Sequence, residues 1–250
     1  MYIFEYVFDL IACLIRSTQV YLLKRPWLLL IIPFQGLFFI FTFMLVNVYV
    51  VGKDCIDHLR VFIDHYRERF PGCVIYYFDN GSSDNSIGYV KEQGGIVKEF
   101  PIYREDLLRN FKNNIWKSYP ADWHIVCDVD ELLYVNSQDI AGLAEDVNAI
   151  RSEGWQVHHE NPKLFYRSSW YNKSVMFKDS IKEINYSIGS HAVRPLNAVY
   201  SESSYMLKHL GFGENRIWTI YTKKRLSGYI ALYDDEVREY ITGNEKLIEL

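Results

Sequence analysis

Trp123-His-Ile-Val-Cys-Asp-Val-Asp-Glu-Leu-Leu133 decides how this chain is read. Its first five residues are apolar or aromatic apart from one histidine, the composition of a short buried strand. They run without a spacer into Asp128, Asp130 and Glu131, after which Leu132 and Leu133 return to apolar character. Where a chain leaves a strand and turns, side chains one residue apart are no longer forced onto opposite faces, so two carboxylates can converge. Carboxylate oxygens are hard donors suited to Mn2+ or Mg2+, and such a cation is the usual means of neutralising a diphosphate of about three negative charges. The same spacing suits a surface acidic turn or a helix N-cap, so the pair by itself leaves both readings open.

Working outward, Met44-Leu-Val-Asn-Val-Tyr-Val-Val51 predicts a strand closed by Gly52-Lys53-Asp54. Apolar residues then recur at helical spacing (Ile56, Leu59, Phe62, Ile63, Tyr66) up to Pro71-Gly72. Cys73-Val-Ile-Tyr-Tyr-Phe78 is a second apolar strand, and it enters the polar turn Asp79-Asn-Gly-Ser-Ser-Asp-Asn-Ser86 directly. A short helix over 86–93, a strand over 96–100, a helix over 105–118 ending before Pro120, and a strand over 124–127 complete the pattern. Alternation of this kind implies an α/β fold with a mostly parallel sheet, helices on both faces, and ligands at the carboxyl ends of the strands. Both polar loops fall at that edge.

The 250 residues, 29.6 kDa in all, divide into a hydrophobic segment over 1–43 and a domain over 44–250. Trp27 to Val51 carries no charge and follows Lys24-Arg25, as a membrane-spanning helix with a cytosolic N-terminus would. Pro33, Gln35 and Gly36 interrupt it, and its last residues belong to the first strand of the sheet. Residues 1–43 therefore read either as a hydrophobic helical membrane anchor or as a helical appendage packed on the domain or on a partner. A net charge of −4 and a pI near 6.0 provide no basic field for nucleic acid. Cys13, Cys55, Cys73 and Cys127 are scattered, without zinc or disulfide spacing.

The turn at Asp79–Ser86 followed by the D-x-D-E segment resembles the family 2 type of glycosyltransferase with the GT-A fold. The D-x-D-E form is similar to the family 2-like and family 92-like branches, and the resemblance covers about residues 44 to 228. It implies a nucleotide-sugar donor, a UDP-sugar favoured, with Asp79 on the base and Asn80 in the same donor loop. Asp128 and Asp130 would bind Mn2+ or Mg2+ and the diphosphate. Downstream, Tyr171-Asn-Lys173, Gly189-Ser-His191 and Leu207-Lys-His209 resemble further segments of those branches, and the stretch around Arg225 resembles an arginine-containing one. A cation facing two carboxylates and two phosphate oxygens has room for a neutral imidazole; His209 is the first choice and His191 the second. Lys173 and Arg225 would stabilise the leaving diphosphate, with Arg109 and Asn113 as further donor-site candidates.

An inverting transfer needs a carboxylate for the acceptor proton. Asp179 and Glu183 are candidates by location and Glu131 by proximity to the metal motif; the Gln-x-x-Arg-Trp motif of processive synthases is missing. The acceptor would be a glycan, a lipid-linked molecule or a protein. A nucleotidyltransferase on the same fold and a membrane-tethered, non-catalytic binding protein are the alternatives. A glycan at the Asn80-Gly-Ser sequon would obstruct the donor loop, which favours a membrane-associated chain with a cytosol-facing catalytic domain, or a soluble cytoplasmic one.

Overall fold

The computed structural model describes residues 28–34, 37–100, 104–157, 164–210 and 247–249. Strands β1 (Leu28–Phe34) and β2 (Leu37–Phe43) pair antiparallel as a separate two-stranded sheet. This corrects the helix expected in the apolar N-terminal segment. Pro33 would break a helix there but is tolerated in a sheet made only of edge strands, and Ile, Phe and Thr favour the extended chain. Residues 1–27 lie outside the described residues, and among the described residues no helix is long and apolar enough to cross a membrane.

From β3 the chain alternates as expected: β3 (Val46–Gly52), α1 (Ile56–Arg69), β4 (Val74–Asp79), α2 (Ser86–Glu92), β5 (Ile96–Glu99), α3 (Glu105–Asn114) and β6 (Trp123–Val126). A 3-10 turn over Ile115–Ser118 prolongs α3. The strands align parallel in the order β5-β4-β3-β6. Leu59, Phe62, Ile63 and Tyr66 of α1 are fully buried with Val48, Val50, Ile75 and Tyr77 on one face of this sheet. Tyr49, Tyr76, Phe78 and Val126 point the other way and pack with Trp116 and Phe111 of the α3 region. Alternation along β3 and β4 thus builds two cores, one per face, each covered by a helix.

Beyond β6 come β7 (Glu131–Leu133), α4 (Ser137–Ala141), β8 (Ala149–Val157), β9 (Leu164–Arg167), β10 (Met176–Lys178), β11 (Tyr200–His209) and β12 (Leu247–Glu249). The sheet continues β6-β10-β8-β9-β12, and each of these pairs is antiparallel. A mostly parallel sheet is therefore correct only for the first half; the whole is mixed. Connection length is one reason: residues 158–163 alone link β8 to β9, whereas a parallel crossover needs about a dozen residues or more. Strand β11 leaves the main path to lie antiparallel to β7 and parallel to β8, so that His209 faces Glu131 on one side and Gln156 on the other.

Candidate active site

A cavity of about 330 Å3 opens where β3 and β6 end. Gly52 and Lys53 form one wall, the Asp128–Glu131 turn another, and Glu105 of α3, Tyr171, Lys173, His191 and His209 close the remainder. The position is that expected of a ligand site in an open α/β sheet.

Two buried lysines underlie the cavity, Lys173 in its wall and Lys112 behind Asp128. Lys112 Nζ donates to Asp128 Oδ1 at 2.6 Å and to Ser190 Oγ at 2.8 Å, and lies 5.6 Å from the centre of the Tyr186 ring. Lys173 Nζ contacts Glu131 Oε1 at 2.5 Å, donates to the Ser190 carbonyl at 2.6 Å, and stands 3.7 Å from Asp128 Oδ2. The other oxygen of Glu131 accepts the Asp128 N–H at 3.1 Å, so this carboxylate is fully engaged inside the protein. Both lysine side chains are 2% exposed, whereas that of Asp128 is 36% exposed and accessible from the cavity. Ser190 serves both lysines from a left-handed backbone conformation, φ 61°, which costs a non-glycine residue about 1 kcal/mol or more. Burial would raise the Asp128 pKa, but Lys112 and then Lys173 outweigh it and hold the carboxyl well below its ordinary range. Burial pushes Glu131 up, partly opposed by Lys173. Lys173 is lowered by burial but raised more by Glu131 and Asp128, and it stays above its ordinary value.

Asp130 belongs to a different set of contacts. Its Oδ2 is 3.3 Å from His209 Nε2, and its carbonyl accepts the Leu210 N–H at 2.8 Å. His209 Nδ1 lies 2.6 Å from Gln156 Oε1, and its ring stacks on Tyr171 with centroids 4.1 Å apart. A divalent cation fits this pair in two respects. The donor atoms are separated by roughly the 3 Å that neighbouring ligands of a small cation require. Carboxylate oxygen with imidazole nitrogen is also a suitable donor set for Mn2+ or Mg2+ completed by phosphate oxygens and water. Among the described residues no three His, Cys, Asp or Glu side chains form a complete ligand cage, so substrate and water would have to supply the other positions.

The structure thus brings Asp128, Asp130, Glu131, Lys173, His191 and His209 to one cavity. It does not bring the other expected residues there. Asp79 is 5% exposed and its oxygens accept from Tyr77 Oη and from the Gly81 and Ser82 N–H groups, so it organises its own turn. Asn80 follows it, its N–H bonded to the Gly52 carbonyl. The rest of that polar turn is used similarly: Asp84 Oδ2 accepts the Ile56 N–H at the start of α1, whose own N-cap residue Cys55 makes no side-chain cap. Asn113 accepts the Tyr186 N–H, and Arg109 is absent from the cavity wall. Asp179 sits on His124 Nε2 at 3.0 Å, at the opposite sheet edge, and Glu183 is exposed outside the cavity. Arg225 lies outside the described residues. Lys112, Ser190, Gln156 and Glu105 were not expected from the sequence. Of these, only Glu105 carried a local signal, as an acidic residue opening a helix.

No family model matches the chain, and no curated protein matches it. Solved structures are similar over parts of it. The crystal structure of S. aureus TarS 1-349 is 13% identical over 66% of this chain and 60% of that chain, with a TM-score of 0.43. The same protein in complex with UDP is 16% identical over 44% of this chain and 36% of that one, with a TM-score of 0.37. Glucosyl-3-phosphoglycerate synthase from Mycobacterium tuberculosis, in complex with Mn2+, UDP and glucosyl-3-phosphoglycerate, is 14% identical over 44% of each chain, with a TM-score of 0.32. In each case the match spans less than two thirds of the solved chain's length.

Proposed function

We propose that the chain is a metal-assisted glycosyltransferase that takes a sugar from a nucleotide-diphosphate donor, a UDP-sugar favoured, and passes it to an acceptor with inversion. The observation that carries this reading is the charge arrangement at the strand-end cavity. Lys53 and Lys173 line the cavity with Glu105, Asp128, Asp130 and Glu131, and Lys112 pairs with Asp128 from behind the wall; together these seven groups leave one negative charge when the histidines are counted neutral. Such a site repels a bare diphosphate; one divalent cation reverses its sign. When bound on Asp130 and His209, the cation supplies charge neutralisation to the diphosphate as it departs. Asp128 acts by holding Lys112 and Lys173 in place beneath that position, where their field opposes build-up of negative charge on the leaving group. Gly52 and Lys53 border the space for the nucleotide. Glu105 lines the cavity and carries no ion pair among the described residues, which makes it the carboxylate assigned to the acceptor proton.

The test is a donor screen measuring nucleotide-sugar hydrolysis with and without Mn2+, on the wild type and on Asp130→Ala. Hydrolysis should require the metal and fall at least about 100-fold in the variant. Metal-independent turnover, or an unaffected Asp130→Ala, would refute the mechanism.

A further inference from the structure

The imidazole of His209 is held on three sides. Strand β11 places it in register between Glu131 of β7 and Gln156 of β8, and the Leu210 N–H bonded to the Asp130 carbonyl fixes the backbone just beyond it. Tyr171 covers one ring face at 4.1 Å, which opposes rotation about the Cβ–Cγ bond. The third restraint is chemical. Gln156, 4% exposed, donates from Nε2 to the Val157 carbonyl at 3.2 Å, and this settles which end of its amide faces the histidine. The end 2.6 Å from Nδ1 is Oε1, an acceptor only. Nδ1 must therefore carry the proton, and in a neutral ring Nε2 is then a bare lone pair. In the neutral ring that lone pair faces Asp130 Oδ2, 3.3 Å from Nε2, which pairs two acceptors with no hydrogen between them. A cation between them turns this opposition into two ligand bonds.

We propose that Gln156 is a positioning residue for a divalent cation: it fixes the tautomer of His209 and so presents Nε2 beside Asp130. This rests on the metal-assisted reading above and adds to it the group that decides which ring nitrogen is available. Metal-bound histidines commonly give their second N–H to a fixed acceptor, and loss of that acceptor weakens binding by about 10- to 100-fold. Here the acceptor is a neutral amide from a neighbouring strand.

The experiment uses the full chain and Mn2+ alone, with free Mn2+ followed by EPR, in the wild type, Asp130→Ala, Gln156→Leu and Gln156→Glu. Nitrogen-15 NMR of the metal-free proteins reports the His209 tautomer. Wild type should bind Mn2+ with His209 protonated at Nδ1, and Asp130→Ala should abolish binding. Gln156→Leu should bind about 10- to 100-fold more weakly and lose the tautomer preference, whereas Gln156→Glu, which retains an acceptor at the same reach, should keep both. Because the Glu variant preserves size and burial, its retained binding separates the role of the acceptor from a folding defect in the Leu variant. No Mn2+ binding by the wild type would overturn the metal-assisted reading itself. Binding that is lost in Asp130→Ala but unchanged in Gln156→Leu would overturn the role of Gln156 alone, as would a wild-type ring protonated at Nε2 or at both nitrogens.

Discussion

Replacing Lys173 by Met tests whether the floor of the cavity is a structural ion network. The substitution keeps the length of the side chain and deletes three contacts: Glu131 Oε1 at 2.5 Å, the Ser190 carbonyl at 2.6 Å and Asp128 Oδ2 at 3.7 Å. Asp128 retains Lys112 at 2.6 Å and is open to water, so it is not stranded. Glu131 is stranded, because it is 1% exposed and its remaining bond is the Asp128 N–H. Removing one partner of a buried ion pair costs about 3–5 kcal/mol, chiefly the penalty of the charge left behind. With a urea slope of about 2–3 kcal/mol/M, the unfolding midpoint should fall by about 1–2.5 M. Lys173→Met combined with Glu131→Gln removes the orphaned charge yet keeps an acceptor for the Asp128 N–H. The double variant should therefore recover about 2 kcal/mol relative to Lys173→Met. Urea denaturation followed by tyrosine and tryptophan fluorescence measures all four corners of the cycle. Strict additivity, or a single-variant loss below about 1 kcal/mol, would show that the pair is not the buried contact described here.

Two further outcomes follow from groups outside the cavity floor and from its wall. His65 is buried with Nε2 2.9 Å from the Leu133 carbonyl, and burial lowers its pKa to about 4. The unfolded chain, with a histidine near pH 6.5, binds the extra proton first, so stability should decline by up to about 3 kcal/mol as pH falls from 6.5 to 4. His65→Gln should flatten that slope in urea midpoints measured across the same range; an unchanged slope would contradict the assignment. A Cβ at Gly52 would come 2.5 Å from Cys55 Sγ and 2.9 Å from Tyr77 Cε2, so Gly52→Ala should cost about 1–3 kcal/mol and lower the melting temperature by several degrees. An unaltered melting curve would mean that this wall has room to spare.

The strands and helices from β3 to β6 were legible because each is long enough to show its period and is punctuated by Gly or Pro. The second half was not, and one error there shows why. Asp179 is a candidate by location, and in a mostly parallel sheet a residue that follows a strand would lie at the ligand-binding edge. Strand β10 runs antiparallel to β6, with Lys178 opposite Trp123, so the same residue emerges at the other edge. Strand direction depends on partners far along the chain, and no local pattern encodes it. Lys112 was hidden for a related reason. A lone lysine on an amphipathic helix reads as solvated, and only folding brings Asp128, 16 positions later, and Ser190, 78 positions later, onto its ammonium group. Arg109 and Asn113, chosen on that helix, are a turn earlier and one residue later than the side chain that reaches the site.

The D-x-D segment itself acquires a division of labour that spacing did not suggest. Convergence of both aspartates on one ion was the expectation, because the chain turns after the strand. Between them, however, Val129 is 6% exposed and joins the core, and this separates what its neighbours can reach. Asp128 is taken by cations from α3 and from the segment before β10; Asp130 is taken by β11. The two carboxylates therefore act through different elements, and their substitutions should differ in kind. Loss of Asp128 leaves Lys112 and Lys173 with fewer anionic partners and shifts the cavity by one unit toward positive charge, which attracts a diphosphate even as it disorders the floor. Loss of Asp130 shifts the charge equally but removes the proposed cation ligand without touching the lysines. Equal charge change with unequal effect on Mn2+ binding is the signature of this arrangement, and a site in which both aspartates bound the ion symmetrically would not produce it.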